Sequence, residues 1–376
     1  MSSLERLIQL SFGYFCALNG VVAFYFGFNT GKFHWCRILS FYRIVHNFIV
    51  IGLTSKFMSD FWQFHTHVKN SRSQLMELNT FAHFAIVVLS LLSSMECAHR
   101  QQERIYAMLS KLLDLNRLSN ELGYIAPKSH QRYIGMLVLS ITPLLALRLF
   151  IHVGLNAIRT KLGFDFRCNC FLSECMLLGI HSVGFGIMAE ICQCWWRLQT
   201  GLKRILLEEP MPDQLNQLLQ LQGMYQCLID ITAEFCTVFK FVLMCFLVRN
   251  VWCGIVIGYL IIRIFCGHGV SELHLYQLYL AFVICIQPML YSLLLNFLTD
   301  TTDSLMATTK VIVRESQVQA YLVERSLQWF SLQLAWQHTN IHVYGTYRIN
   351  RRLVFQSASV ILLHTLYMVQ SDYRSM

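Results

Sequence analysis

GTYRINRRLVFQSASVILLHTLYMVQSDY, residues 345–373, is an apolar run long enough to cross a bilayer. It is approached through Arg348, Arg351 and Arg352 and carries an amide, Gln370, near its far end. A polar side chain deep in a hydrocarbon-facing helix costs free energy unless it faces protein or water. Gln370 therefore predicts a helix with one wet or protein-covered side. Several copies of that helix about an axis would put Gln370 on the wall of a pore.

The rest of the chain is of the same kind. Of 376 residues 55% are hydrophobic and only 14% charged, and the mean hydropathy is +0.46. These values are too apolar for a soluble chain of this length with one or two ordinary cores. The expected class is all-α: a polytopic membrane protein. A span needs roughly 20 mostly apolar residues, and seven stretches qualify, near 37–57, 79–97, 133–155, 171–194, 236–262, 277–299 and 352–372. An eighth stretch, Leu7 to Phe28, is interrupted by Asn19, Gly20 and several aromatics. It reads as a helix lying at the interface in preference to a span or a signal peptide, since Glu5 and Arg6 adjoin and no small-residue cleavage site follows.

The formal charge of +9 is not a nucleic-acid footprint, because no basic run with interleaved aromatics occurs and Lys and Arg concentrate between apolar spans. Seven spans leave 18 cations on the side of the N-terminus and eight on the other. The positive-inside rule then predicts a cytosolic N-terminus and an extracellular C-terminus. That topology is inverted for a G-protein-coupled receptor, and Asp-Arg-Tyr and Asn-Pro-x-x-Tyr are both missing. It suits a channel or a transporter, and no internal repeat or paired broken helices favour the transporter. The predicted organisation is a cytosolic N-terminal segment 1–36, a bundle of six helices 37–300, a cytosolic anchor helix 301–350, and a seventh helix with a short outer tail 351–376.

Residues 197–235 read as helix broken at Pro210–Pro212, so the fourth and fifth spans are expected to run on into the cytosol. Residues 301–340 are amphipathic. The apolar face of Leu322, Leu327, Phe330 and Leu334 either packs inside the subunit or forms an interface between subunits, and helical periodicity alone does not choose.

FSLQL at 330–334, then Gly345, Tyr347 and Asn350, and finally Gln370 resemble the carboxy-terminal signature of the insect gustatory receptors, relatives of the odorant receptors. In that family a Gly-x-Phe-x-Ile/Leu-Asn element leads into a last helix ending Thr-Tyr, five hydrophobics, Gln-Phe. Here Leu363 and His364 stand at the Thr-Tyr pair and Ser371 at the Phe. NTGKF at 29–33 before the first span is a weaker likeness. The resemblance implies a tastant-gated, nonselective cation channel of four like or related subunits in the plasma membrane, with lipid around it and no cofactor or metal.

It further implies that the last helix lines the pore, that the cytosolic helix extensions form an anchor, and that small molecules enter a pocket in the outer half of helices two to six. By position Gln370 is the pore amide, and Tyr367 and Ser371 fall at the gate. A serine at a constriction does not repel water as leucine does, so the barrier rests on Tyr367 with Leu363 and Leu366, or on another subunit. Asp372, four times repeated, would form an acidic ring at the outer mouth. His364 is a potential proton sensor or simply a packed histidine. The pocket candidates are Arg148, His152, Glu174, His181, Tyr259 and Tyr279, with Arg148 and Glu174 expected to pair or to face a cavity. Thr365 stands where sugar-sensing relatives tend to carry an acid, which favours bitter or other non-sugar compounds.

No serine-hydrolase, zinc-protease or phosphate-loop motif is present, so an enzyme is not expected. Cys192 and Cys194 lack a second pair for zinc. Cys168 or Cys170 could bridge to Cys266 on the predicted outer side.

Overall fold

The computed structural model describes residues 13–27, 30–68, 74–124, 164–207, 213–265, 272–316, 321–336, 341–343 and 347–375. The predicted third span, with Arg148 and His152, lies outside them, as do Gly345 and Cys266. Eight helices follow in chain order: α1 (Arg37–Val68), α2 (Gln74–Arg100), α3 (Gln102–Glu121), α4 (Phe164–Leu207), α5 (Gln214–Phe265), α6 (Glu272–Glu315), α7 (Tyr321–Trp336) and α8 (Arg351–Ser375). Two hairpins interrupt them, β1 (Phe24–Gly27) with β2 (Lys32–Trp35), and β3 (His342–Val343) with β4 (Tyr347–Arg348).

Helices of 44, 52 and 44 residues are about 66–78 Å long at 1.5 Å per residue, far beyond the roughly 30 Å of a hydrocarbon core. α4, α5 and α6 are therefore longer than a bilayer crossing requires, and for α4 and α5 the apolar periodicity beyond residue 197 predicts this length. α4 ends at Leu207 and α5 starts at Gln214, on either side of the Pro210–Pro212 break.

The hairpin β1–β2 corrects the expectation of a helix through residue 28. Among the described residues before the hairpin, helix covers 13–18. From Phe24 the chain is a strand, because its aromatics alternate. Phe24 pairs across with Trp35 and Phe26 with Phe33, which gathers four rings on one face. That face packs on α3: the Phe24 ring centroid lies 5.5 Å from that of Tyr106 and Trp35 lies 6.0 Å from it, and the Tyr106 hydroxyl donates to the Phe33 carbonyl at 3.1 Å. α3 itself is amphipathic rather than apolar, with Ile105, Met108, Leu112 and Leu115 buried at helical spacing.

The core is densest where α4, α5, α6 and α7 come together. Trp195, Tyr225 and Phe330 form an edge-to-face stack with centroids 5.3 and 5.2 Å apart, and all three are fully buried. On α7 the buried residues are Val323, Leu327, Phe330 and Leu334. The intramolecular alternative thus holds for Leu327, Phe330 and Leu334. Leu322 faces outward with Trp329, Leu332 and Trp336, about half a turn away on the helical wheel.

Candidate pore helix and its supports

The three residues before α8 explain where it starts. Asn350 is its N-cap: the side-chain oxygen accepts the backbone N–H of Leu353 at 3.2 Å, satisfying a donor that the first turn leaves open. Arg351, the first helical residue, reaches Asp300 of α6 at 3.0 Å and lays its guanidinium 4.4 Å from the centre of the Phe297 ring. Arg348 makes a fork to Asp303, with Nε and Nη2 donating to Oδ2 at 2.9 and 2.7 Å. The other oxygen, Oδ1, accepts the backbone N–H of Ile341 at 3.4 Å. Burial pushes the Asp303 carboxyl above its ordinary value, and Arg348 only partly offsets that.

Farther along, α8 lies on α5 through a seam of small residues. A Cβ on Gly254 would stand 2.6 Å from Cδ1 of Ile361, and one on Gly258 would stand 2.7 Å from Oγ1 of Thr365. Only glycine permits this approach, the small-xxx-small device of membrane helices. Thr365 is buried and its hydroxyl donates to the Ile255 carbonyl at 3.4 Å. Ile255, Tyr259 and Met368 close the seam, flanked by Val251, Ile361 and Val369.

The opposite side of α8 is bare. In its most apolar stretch 11% of residues are buried, against 83% for α4. Leu363 is 66% exposed and Tyr367 68%, with Leu366 and Gln370 also exposed and Ser371 half-buried. Leu363, Tyr367 and Gln370 recur at four and three residues and so share one face, pointing away from the seam. His364 is exposed beside that face. Asp372 lies in α8, but its side chain is outside the described residues, as are those of Tyr279 in α6 and Tyr347 in β4.

Of the pocket candidates, Glu174, His181 and Tyr259 have described side chains. Glu174 meets Arg249 of α5 in an ion pair of 2.7 Å with side chains 13% and 3% exposed, while Arg148, its expected partner, lies outside the described residues. His181, two turns below Glu174, is buried with its ring centroid 4.2 Å from that of Phe246 and 5.6 Å from Tyr291. Tyr259, expected beside Glu174, belongs to the seam under α8 instead. The physical reason is spacing: Tyr259 follows Arg249 by ten residues, about 15 Å along α5.

Arg249, Asp303, Gly254 and Gly258 went unrecognised in the sequence reading. The glycine pair four residues apart in an apolar helix was the available signal for the seam. No local signal announces Arg249 or Asp303, whose partners are 75 and 45 residues away.

A sequence profile described as 7tm Chemosensory receptor matches residues 11–375. The chain is 45% identical over 378 residues to the Putative gustatory receptor 85a of Drosophila melanogaster, covering 100% of this chain and 95% of that protein. Its fold is similar to that of the insect olfactory receptor OR5 from Machilis hrabei, with a TM-score of 0.67, 12% identity and 98% of each chain covered. The same receptor in complex with eugenol gives a TM-score of 0.63, again with 12% identity and 98% coverage of each chain.

Proposed function

The chain belongs to the 7tm chemosensory receptor family, a family of membrane receptors and not enzymes, and from that premise we propose that it is a gustatory receptor subunit acting as a ligand-gated, nonselective cation channel. Four subunits surround the pore, and α8 lines it. The N-terminus and the α7 end are cytosolic and the end of α8 is extracellular, as the distribution of cations supports.

One observation carries the reading. α8 is apolar and long enough to span, is held along one face by α5, and presents Leu363, Tyr367 and Gln370 on a face that its own subunit leaves uncovered. A helix facing only lipid gains nothing from an amide there. A helix facing an axis gains a hydrated ring of amides beneath hydrophobic rings that can dewet. The ligand is a moderately polar organic molecule of the bitter or non-sugar kind, received among α4, α5 and α6 near the Glu174–Arg249 pair and His181. Thr365 supports the non-sugar reading, since an acid at that position would be driven into the seam against Gly258.

The test is heterologous expression of the chain with recording of currents under a tastant screen. Ligand-evoked cation current whose permeability ratios change in Gln370→Ala, at equal surface expression, is the expected result; an unaltered current would remove α8 from the pore. A second reading is a modulatory subunit that conducts only beside a relative, which Tyr367 and Ser371 at the gate positions favour. Current appearing only on coexpression would select it.

A further inference from the structure

We propose that Arg352 sets the direction of easy current flow: it forms a ring of positive charge at the cytosolic mouth of the pore, leading into a wet inner vestibule lined by Gln356 and Ser359, and makes the channel pass cations inward more readily than outward. The inference rests on the channel reading above and adds to it which end of the pore repels the permeant ion.

The stripe that carries Leu363, Tyr367 and Gln370 does not stop at Leu363. Counted back along α8 it continues through Ser359, Gln356 and Arg352, so that the six recur at four, three, four, four and three residues and occupy one side of the helix. All six are exposed within the subunit, while Ile361, Thr365 and Met368 lie on the side of the α5 seam. The chemistry of the stripe changes along its length: an arginine, an amide and a hydroxyl come first, then Leu363 and Tyr367, then the amide of Gln370. Polar side chains at membrane depth cost free energy unless water or protein meets them. Four copies about an axis supply water to the first half of the stripe, from Arg352 to the hydrophobic rings at Leu363, a length of about 16 Å.

Three arginines stand at the start of α8, and two of them are neutralised. Arg348 is answered by Asp303 at 2.7 Å, and Arg351 by Asp300 at 3.0 Å with the Phe297 ring against its guanidinium. The acids that α6 brings to this level are thereby taken. Arg352 is exposed and makes no ion pair among the described residues. A guanidinium stays charged at any physiological pH, so four of them hold a fixed positive potential where the vestibule opens. Like charge around a confined, water-filled mouth thins out cations there. Cations arriving from outside meet Gln370 and the hydrophobic rings first, whereas those leaving the cytosol must pass the arginines to enter. Outward current is therefore the one reduced.

Currents and chemical labelling test this separately in the full chain. With equal salt on both sides, single channels of the parent should carry inward current about threefold larger than outward at equal and opposite voltages, a modest effect for a ring of charge. Arg352→Lys keeps the charge and should keep that ratio, Arg352→Gln should bring the two directions to parity, and Arg352→Glu should invert them. Raising the salt from about 0.15 M to about 1 M shortens the screening length from about 8 to about 3 Å and should flatten the parent's ratio. The second readout needs no current. In purified receptor in nanodiscs, Gln356→Cys and Ser359→Cys are treated with anionic sulfonatoethyl methanethiosulfonate or its cationic trimethylammonium analogue, and modification is read by peptide mass spectrometry. Relative to a free thiol, the anionic reagent should be favoured about fivefold at both positions, and Arg352→Glu should reverse that preference. A current ratio or labelling preference unmoved by Arg352→Glu, or thiols at both positions that neither reagent reaches, overturns the proposal. A parent that conducts neither alone nor beside a relative, with the labelling preference as stated, removes the channel reading and leaves the charged, wet face of α8 standing.

Discussion

Asp303 and Arg348 show how one residue pair can decide a helix position. Arg348 is partly exposed, so its loss is discounted for solvent, and a cost of about 1–3 kcal/mol is expected for Arg348→Gln from the carboxylate left unsatisfied. The pH dependence follows from the direction of the Asp303 shift. Its carboxyl is already raised by burial against the opposing pull of Arg348, and without that guanidinium it rises further. A carboxyl raised in the folded state burdens the fold above its folded value and ceases to do so as pH falls through that value. The gap in thermal midpoint between the parent and Arg348→Gln should therefore narrow from pH 8 toward pH 5. A gap that widens on acidification would show that Asp303 is not the group exposed by the substitution. None of this is legible in the sequence, where Asp303 is one acid in a helix and Arg348 one of three arginines before an apolar run. Gln370 is legible because an amide near the outer end of such a run stands out by itself.

At the scale of elements, what the sequence disclosed was whatever depends on near neighbours. The ends of α4 and α5 followed from prolines that cannot continue a helix, and the amphipathic α7 from its period. The hairpin β1–β2 is not legible because its strands are four residues each and lie within an apolar, aromatic-rich stretch, so the aromatic count outweighs the alternation. α3 was passed over as a cation-rich connection, since a search for apolar spans does not register a helix with only one greasy side. For α7 the period gave three residues of the buried face, Leu327, Phe330 and Leu334, but misplaced Leu322, which is exposed, and the partner is set by α5 and α6, which no pattern within α7 encodes. The start of α8 makes a local claim that can be measured. Asn350→Ala removes the cap and is expected to cost about 1 kcal/mol, lowering the thermal midpoint, while Asn350→Asp, which keeps an acceptor, should cost much less. Equal losses in both would mean that the cap is not what Asn350 supplies.

Among the described residues, apolar faces uncovered within one subunit include that of α1 with Ile38, Phe41 and Phe48, that of α8, and that of α7 bearing Leu322, Trp329, Leu332 and Trp336. Trp336 is 84% exposed and Trp329 63%, and a pocket of ≈ 530 Å³ lies between them with Leu332, Gln222 and Gln333. α8 belongs to the membrane, where lipid tolerates an apolar surface. The α7 face lies on the extensions of α4 to α6 beyond the spans, where exposed tryptophans raise the free energy unless another surface covers them. On the proposed tetrameric reading, the α7 faces are a second surface by which subunits can join. The substitutions Trp329→Ser and Trp336→Ser together should therefore shift the purified receptor from the proposed tetramer toward smaller species on size exclusion with light scattering. They should leave the thermal midpoint of the subunit little changed, because Leu327, Phe330 and Leu334 on the other face keep α7 in place. Phe330→Ala should do the reverse, costing about 3–5 kcal/mol of subunit stability through the cavity between Trp195 and Tyr225. A tetramer indifferent to loss of both tryptophans would mean that the subunits are joined through α8 and its neighbours in the membrane, and that the α7 face serves something else.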